Sequence, residues 1–420
     1  MFDSYGSALK EFEARLNNAV QFMSGGKLEG VWEFNYLNKP PATWAKPEGT
    51  TISEVLNEEE IKALGKTWLP VHAMGYNWLK SNGESAKYVA QRIKDLKARY
   101  EKFGFTCPGV IVVTHSMGGL VARGLMHPDY GGLTESEVLG VVHSVMPTQG
   151  AAATYKRMRA GFEGGMFSIS KKVLGPTGAH VTAVLANAQG PLEMLPGSAY
   201  GPKWLVVKDQ DGHTVLELPR DMPDNASTNT SPMALGDIYT QENKQWWRLI
   251  NPEWINFAKK YLTEEEAQNA CKKRMMRALE FQSAIEKTFH KNTYAHYADD
   301  RSQLSFGRVV WKVTSGDGRL INAGSPLQWT LVSEDGEGQI TVRTPNQQTL
   351  VLQLQEPAES GDGTVPADKS ASQVKGKTFT QRGYEHQDSY KDHDVQAATI
   401  YSVAKMASQA VRKAYERKSS

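Results

Sequence analysis

Residues 109–123, Gly-Val-Ile-Val-Val-Thr-His-Ser-Met-Gly-Gly-Leu-Val-Ala-Arg, decide how this 420-residue chain is read. Gly109 to Thr114 is a short apolar run rich in β-branched residues, which fits a buried strand, and the residues from Ser116 to about Met126 read as a helix. A serine at such a strand-to-helix turn forms a nucleophile elbow. The sharp turn strains the serine backbone and pushes its hydroxyl clear of the sheet, within reach of a histidine. Small residues two before and two after the serine keep neighbouring backbone from colliding, and the helix N-terminus lies beneath a developing oxyanion. Gly118 meets that need, while Thr114 stands where the first glycine of G-x-S-x-G is usual.

Outward from the elbow, strand and helix alternate. The spacing of Val89, Ile93, Leu96 and Tyr100 predicts a helix before the elbow strand, and Trp68 to Met74 and Val31 to Tyr36 read as earlier strands. Leu9, Phe12, Leu16, Val20 and Met23 recur at helical spacing up to Gly25-Gly26. Beyond the elbow, Val138 to Val145 is a further strand. This alternation implies an α/β fold with a mostly parallel sheet flanked by helices. Between about Gly150 and Gln355 it lapses. Trp246, Trp247, Trp254 and Phe257 suggest the core of a cap, and Thr263 followed by Glu264 to Glu266 starts a long helix. Gly307 to Val313, Leu327 to Val332, Gln339 to Arg343 and Thr349 to Leu354 then alternate as strands. The expected organisation is a first part of the core with the elbow (1–150), a mostly helical cap insertion (151–300), and a small antiparallel β insertion (301–356). The second part of the core (357–420) would hold an acid turn, a histidine loop and a terminal helix from Val395.

A nucleophilic serine needs a base and a group to orient it, which in this architecture follow in the order Ser, Asp or Glu, His. Asp362, in the tight turn Gly361-Asp362-Gly363-Thr364-Val365-Pro366, is the acid candidate. Two histidines lie beyond it. His386 sits in a loop just before the C-terminal helix, where the base is expected, and His393, between Asp392 and Asp394, reads as a solvated helix start. The backbone N–H of Met117 would be one oxyanion donor. No apolar strand ending in His-Gly or Pro-Gly precedes Leu9 to supply the second, so either another loop, around Gly75, provides that donor or the chain is an N-terminally shortened version. His115 is assigned a packing role beside the elbow, and His72 and His143 are read as core histidines.

Composition sets outer limits. The 40% apolar and 22% charged content is ordinary for a globular protein. Forty-eight basic residues against forty-six acidic ones leave a charge of +2, without the basic excess that binding nucleic acid requires. Cys107 and Cys271 have no metal-ligand spacing and read as free thiols. The cluster His386, Asp388, Asp392, His393 and Asp394 matches no zinc or EF-hand pattern, so neither metal nor cofactor is expected. The N-terminus lacks a signal-peptide pattern and no apolar stretch approaches a membrane span, so the chain is expected to be cytoplasmic when made.

The combination of Thr114 to Arg123, Val145-Met146-Pro147 leading into Tyr155-Lys156-Arg157-Met158-Arg159, the GDGTVP turn at 361–366 and GYEHQ at 383–387 resembles bacterial α/β-hydrolase lipases related to the phospholipase effectors of type VI secretion. Gly75-Tyr76-Asn77-Trp78 and the GDGTVP turn are also similar to the lecithin:cholesterol acyltransferase and GPI-deacylase branch. The resemblance implies a Ser116, Asp362, His386 triad cleaving carboxylic esters of lipids, phospholipid acyl chains first among them. It further implies a membrane surface as the substrate's setting, export by a type VI-like machine, and a dedicated immunity protein. The competing readings are a carboxylesterase of small soluble esters and a catalytically silent, N-terminally shortened binding protein on the same scaffold.

Overall fold

The computed structural model describes residues 5–18, 20–22, 28–30, 37, 39–45, 50, 52–163, 169–220, 235–241, 245–316 and 323–419. The chain opens with α1 (Ser7–Asn18), a hairpin of β1 (Val20–Phe22) and β2 (Leu28–Gly30), α2 (Glu58–Gly65) and α3 (Asn82–Lys102). Next come β3 (Val110–His115), α4 (Gly118–Met126) and β4 (Val138–Ser144), the strand, helix and strand expected around the elbow. β3 and β4 run parallel, as do β4 and β7 (Thr293–Ala298) and β7 and β14 (Lys377–Gln381), so the sheet order is β14-β7-β4-β3. This parallel sheet with helices on both faces is the α/β core that the alternation of strand and helix predicts. One face packs Val142, Tyr294 and Phe379 against Phe12 of α1, Ile61 of α2 and Tyr401 of the terminal helix α11 (His393–Ser419). The other buries Val141 with Val89 and Ile93 of α3 and Val121 and Leu125 of α4.

The insertion has its own core. It contains α5 (Ala152–Ala160), α6 (Ile169–Leu174), α7 (Gly178–Leu185), α8 (Gln189–Leu192), α9 (Pro252–Ile255) and α10 (Glu264–Ile285). Thr263 caps α10 by accepting from the Glu266 N–H at 3.1 Å. These helices pack on a six-stranded mixed sheet of order β10-β11-β12-β9-β5-β6, built from β5 (Leu205–Lys208), β6 (Thr214–Leu218), β9 (Val309–Gly316), β10 (Thr330–Glu334), β11 (Gln339–Arg343) and β12 (Thr349–Leu354). Trp204, Trp246, Trp311, Trp329 and Tyr155 fill the space between. Glu334 of β10 is buried between Arg159 of α5 and Arg248, each 2.8 Å away. That triad ties helix to sheet, and losing one member would leave an uncompensated buried charge.

Several elements differ from the sequence expectation. α1 stops at Asn18 and Val20 lies in a strand, because the chain reverses into the β1–β2 hairpin; Met23 and Gly25-Gly26 lie outside the described residues. The strand expected over Val31–Tyr36 also lies outside them. Residues 68–74 form no strand: Pro70 interrupts the run and the Trp68 side chain is 54% exposed rather than buried in a sheet. The β5–β6 hairpin, inside the stretch expected to be helical, joins the small sheet, where β5 pairs in parallel with β9, so helices and sheet share one core. β7 belongs to the parallel sheet although its residues precede 300, and β8 (Asp300–Ser305) pairs antiparallel with β13 (Glu359–Gly361). Phe257 is exposed while Trp246 and Trp247 are buried. Among the described residues no helix is long and apolar enough to cross a membrane.

Candidate active site

Ser116 directly follows β3 in the turn into α4, and its φ of 52° lies in the left-handed region that a side chain with a Cβ rarely adopts. Its N–H donates to the carbonyl of Ser144 at the end of β4, at 2.9 Å, which anchors the turn to the neighbouring strand. The strain expected of an elbow is therefore present at this serine. Thr114 is buried, and its Oγ1 lies 3.1 Å from Nδ1 of His143. A Cβ built on Gly118 would meet the Cβ of Thr114 at 3.7 Å, ordinary van der Waals contact, so a threonine fits here without distortion. The tight position is one residue later. A Cβ on Gly119 would stand 2.4 Å from Sδ and 2.9 Å from Cβ of the fully buried Met146.

The structure brings the three sequence-selected side chains together. Nε2 of His386 lies 2.7 Å from Oγ of Ser116, and its Nδ1 lies 2.8 Å from Oδ2 of Asp362. Asp362 and His386 are buried, and the other carboxylate oxygen, Oδ1, accepts from the N–H groups of Thr364 at 2.9 Å and Val365 at 2.7 Å. The GDGTVP turn thus aims the carboxylate with its own backbone. The N–H of His386 donates to the carbonyl of Asp362 at 2.8 Å, so the acid turn and the histidine loop are also joined through the main chain. Because a carboxylate only accepts, Nδ1 of His386 carries a hydrogen and Nε2 is left to accept from the serine hydroxyl. Tyr390, in the 3-10 turn His386–Lys391, donates to the carbonyl of Thr114 at 2.8 Å and ties this loop to β3. Met117 stands at the N-terminal end of α4, where backbone N–H groups lack intrahelical partners.

His393 begins α11 with its side chain more than half exposed, as a solvated helix start does. Gly75 is exposed, but the next residue, Tyr76, packs against the cluster formed by Met117, Leu120, Phe281 and Ile285, and burial raises its pKa to about 12. His143 is a core histidine as expected, whereas His72 is exposed and reaches Tyr100 Oη at 2.8 Å. His143 and His296 are held neutral, with pKa values lowered to about 3, chiefly by burial. His115 does more than pack: it hydrogen-bonds to the backbone of His386. Arg123 was legible only as part of the elbow motif. Its buried guanidinium donates to the carbonyls of Ile285, Glu286, Thr288 and Thr148, closing the C-terminal end of α10 onto α4. Asp209, Asp211 and His213 are the group of potential metal-ligating side chains found among the described residues; they meet in the turn between β5 and β6, in the other sheet from the one that carries Ser116.

Comparison with known proteins bears on the fold and the family. Residues 78–170 match the family described as the PGAP1-like alpha/beta domain. Among curated proteins none matches. Among solved structures, the chain is similar to one in the crystal structure of the Tle4–Tli4 complex, with 30% sequence identity and a TM-score of 0.76, covering 97% of this chain and 81% of that one. With that likeness spanning nearly its whole length, the chain belongs to the Tle4 family of α/β-hydrolase lipases, related to the type VI secretion lipase effectors and to PGAP1-like hydrolases.

Proposed function

We propose that the protein is a serine hydrolase that cleaves carboxylic esters of lipids, phospholipid acyl chains in particular, through an acyl-enzyme. The observation that carries this reading is the unbroken hydrogen-bond chain from Asp362 through His386 to the strained Ser116. His386 takes the Ser116 proton on Nε2 as Oγ attacks the ester carbonyl, and the Met117 N–H donates to the oxyanion. Collapse of the tetrahedral intermediate returns that proton to the leaving alcohol and leaves the acyl group on Oγ. Water, deprotonated by the same nitrogen, then releases the fatty acid. Asp362 holds the imidazole in the required tautomer and stabilises the imidazolium without itself taking the proton.

Family membership supports a biological setting. The protein would be exported by a type VI-like machine to act at the membrane of a competing bacterium. A cognate immunity protein would bind it, as Tli4 accompanies Tle4 in their complex. Phospholipid vesicles and a series of soluble esters of increasing chain length test the activity. Fatty acid release that rises with chain length and vanishes in Ser116→Ala, with the fold kept, is expected. Full activity in Ser116→Ala would refute the triad, and a preference for acetyl esters would make the protein a small-ester carboxylesterase.

A further inference from the structure

We infer that His115 is a positioning residue: its imidazole holds the backbone of His386 and thereby sets the base against Ser116. The inference rests on the triad reading above and extends it by one residue.

Nε2 of His115 lies 2.8 Å from the carbonyl oxygen of His386, and Nδ1 lies 2.9 Å from the hydroxyl of Tyr5. A carbonyl can only accept, so Nε2 carries the hydrogen. Nδ1 is then bare and accepts from the Tyr5 hydroxyl. The direction of every bond in the series Tyr5, His115, His386 is thus fixed by the partners alone. On its other side His386 donates its own N–H to the carbonyl of Asp362 at 2.8 Å. The backbone of the base is therefore clamped between the acid residue and the neighbour of the nucleophile, leaving both ring nitrogens for the proton relay.

The charge state suits this role. The two imidazole rings lie 5.3 Å apart between centroids, so a cationic His115 would oppose the imidazolium that forms on His386. Burial, with the neighbouring His386 second, lowers the His115 pKa to about 4, so the ring is neutral near pH 7. A third contact, from Tyr390 to the carbonyl of Thr114, fixes the same loop to the same strand. The base is thereby positioned by the strand that carries the serine, so that strand and loop hold a common register. Displacing a reacting group by about 1 Å costs on the order of 10²-fold in rate, which sets the scale of what the clamp protects.

The test compares two side chains of equal length. His115→Gln can put a donor where Nε2 now stands, whereas His115→Met fills similar space without one. With a p-nitrophenyl acyl ester as substrate, His115→Met is expected to lower kcat by about 10- to 100-fold with KM unchanged. His115→Gln should recover kcat to within about threefold of the wild type. Equal kcat values for the two variants, whether near wild type or equally impaired, would overturn the assignment. Thermal melting reports whether each variant is folded. Should His115→Met not fold, Tyr5→Phe carries the test from the outer end of the series, with an expected loss of about threefold in kcat; an unchanged kcat there overturns it. A wild-type protein that neither turns over the ester nor takes up a fluorophosphonate would bring down the hydrolase reading and this inference together. An active wild type with indistinguishable position-115 variants would bring down this inference alone.

Discussion

The two oxygens of the Asp362 carboxylate have separate tasks: Oδ1 is held by two backbone N–H groups of its own turn, and Oδ2 is left for the histidine. Asn at this position can turn an N–H toward Nδ1 and favour the wrong tautomer. Asp362→Asn is therefore expected to lower kcat by about 10⁴-fold while leaving KM and the melting temperature close to wild type; a loss under tenfold would remove Asp362 from the relay. The histidines divide in the same way. His386→Ala should abolish turnover, whereas His393→Ala, at an exposed helix start, should leave kcat within about twofold, since surface changes away from special features cost little. At this scale the sequence singles out three side chains that meet in the fold. Chain order and turn chemistry were enough to choose Ser116, Asp362 and His386. They could not reveal His115, because nothing in a residue's neighbours along the chain tells which carbonyl its ring will meet 271 positions away.

Elements carry the next level of constraint. In the elbow helix α4, Gly119 rather than Gly118 is the residue that packing requires to be small, because Met146 occupies the space where its Cβ would go. Gly119→Ala should destabilise the protein by about 1–3 kcal/mol through overpacking. Gly118→Ala, whose Cβ would make only ordinary contacts, should be milder. Denaturant melts of the two variants measure the difference, and equal values would contradict the packing argument. Strands marked by a β-branched run, such as β3, or by alternation, such as β11 and β12, were legible nearly to the residue. β7 (TYAHYA) and β14 (KTFTQ) were not. Their polar and small residues are buried by position in the parallel sheet rather than by hydrophobic pattern, and several aromatic side chains there also hydrogen-bond. The residues before α3 erred the other way: Trp68 and Val71 suggested a sheet strand, but tertiary placement left Trp68 on the surface.

Across the whole molecule, buried titratable groups couple stability to pH in opposing directions. His115, His143 and His296 have pKa values pushed down to about 4, 3 and 3, mainly by burial, so below about pH 6.5 the unfolded chain binds protons that the folded protein refuses. Their contribution is complete above that pH and is lost as pH falls toward the folded values. Glu193, whose Oε2 accepts from the backbone and side chain of Asn82, is raised to about 7 by burial. Its sign is reversed: between about pH 4.5 and 7 the folded state holds the extra proton, and stability is lost as pH rises. Among the described residues, three such groups against one make the net trend a loss of stability on acidification from pH 7 to 5. Glu193→Gln, which mimics the protonated acid, should raise stability at pH 8 by up to about 3 kcal/mol and make the acid-side fall steeper. Melting curves of wild type and variant from pH 5 to 8 check this; parallel curves would show that Glu193 is not the opposing group. The same scale explains why the insertion resisted sequence reading. Its core is assembled from residues between Ala151 and Leu352, so hairpin β5–β6 finds its partner strand roughly a hundred positions later.

The relay from Asp362 through His386 to Ser116 is tested most directly by covalent labelling. After incubation of the wild type, Ser116→Ala and His386→Ala with a fluorophosphonate, peptide mass spectrometry locates any adduct. A single adduct on the peptide containing Ser116, formed in the wild type, absent in Ser116→Ala and strongly slowed in His386→Ala, is the expected result. An adduct on a different residue, or equal labelling of wild type and His386→Ala, would contradict an activated serine at this elbow.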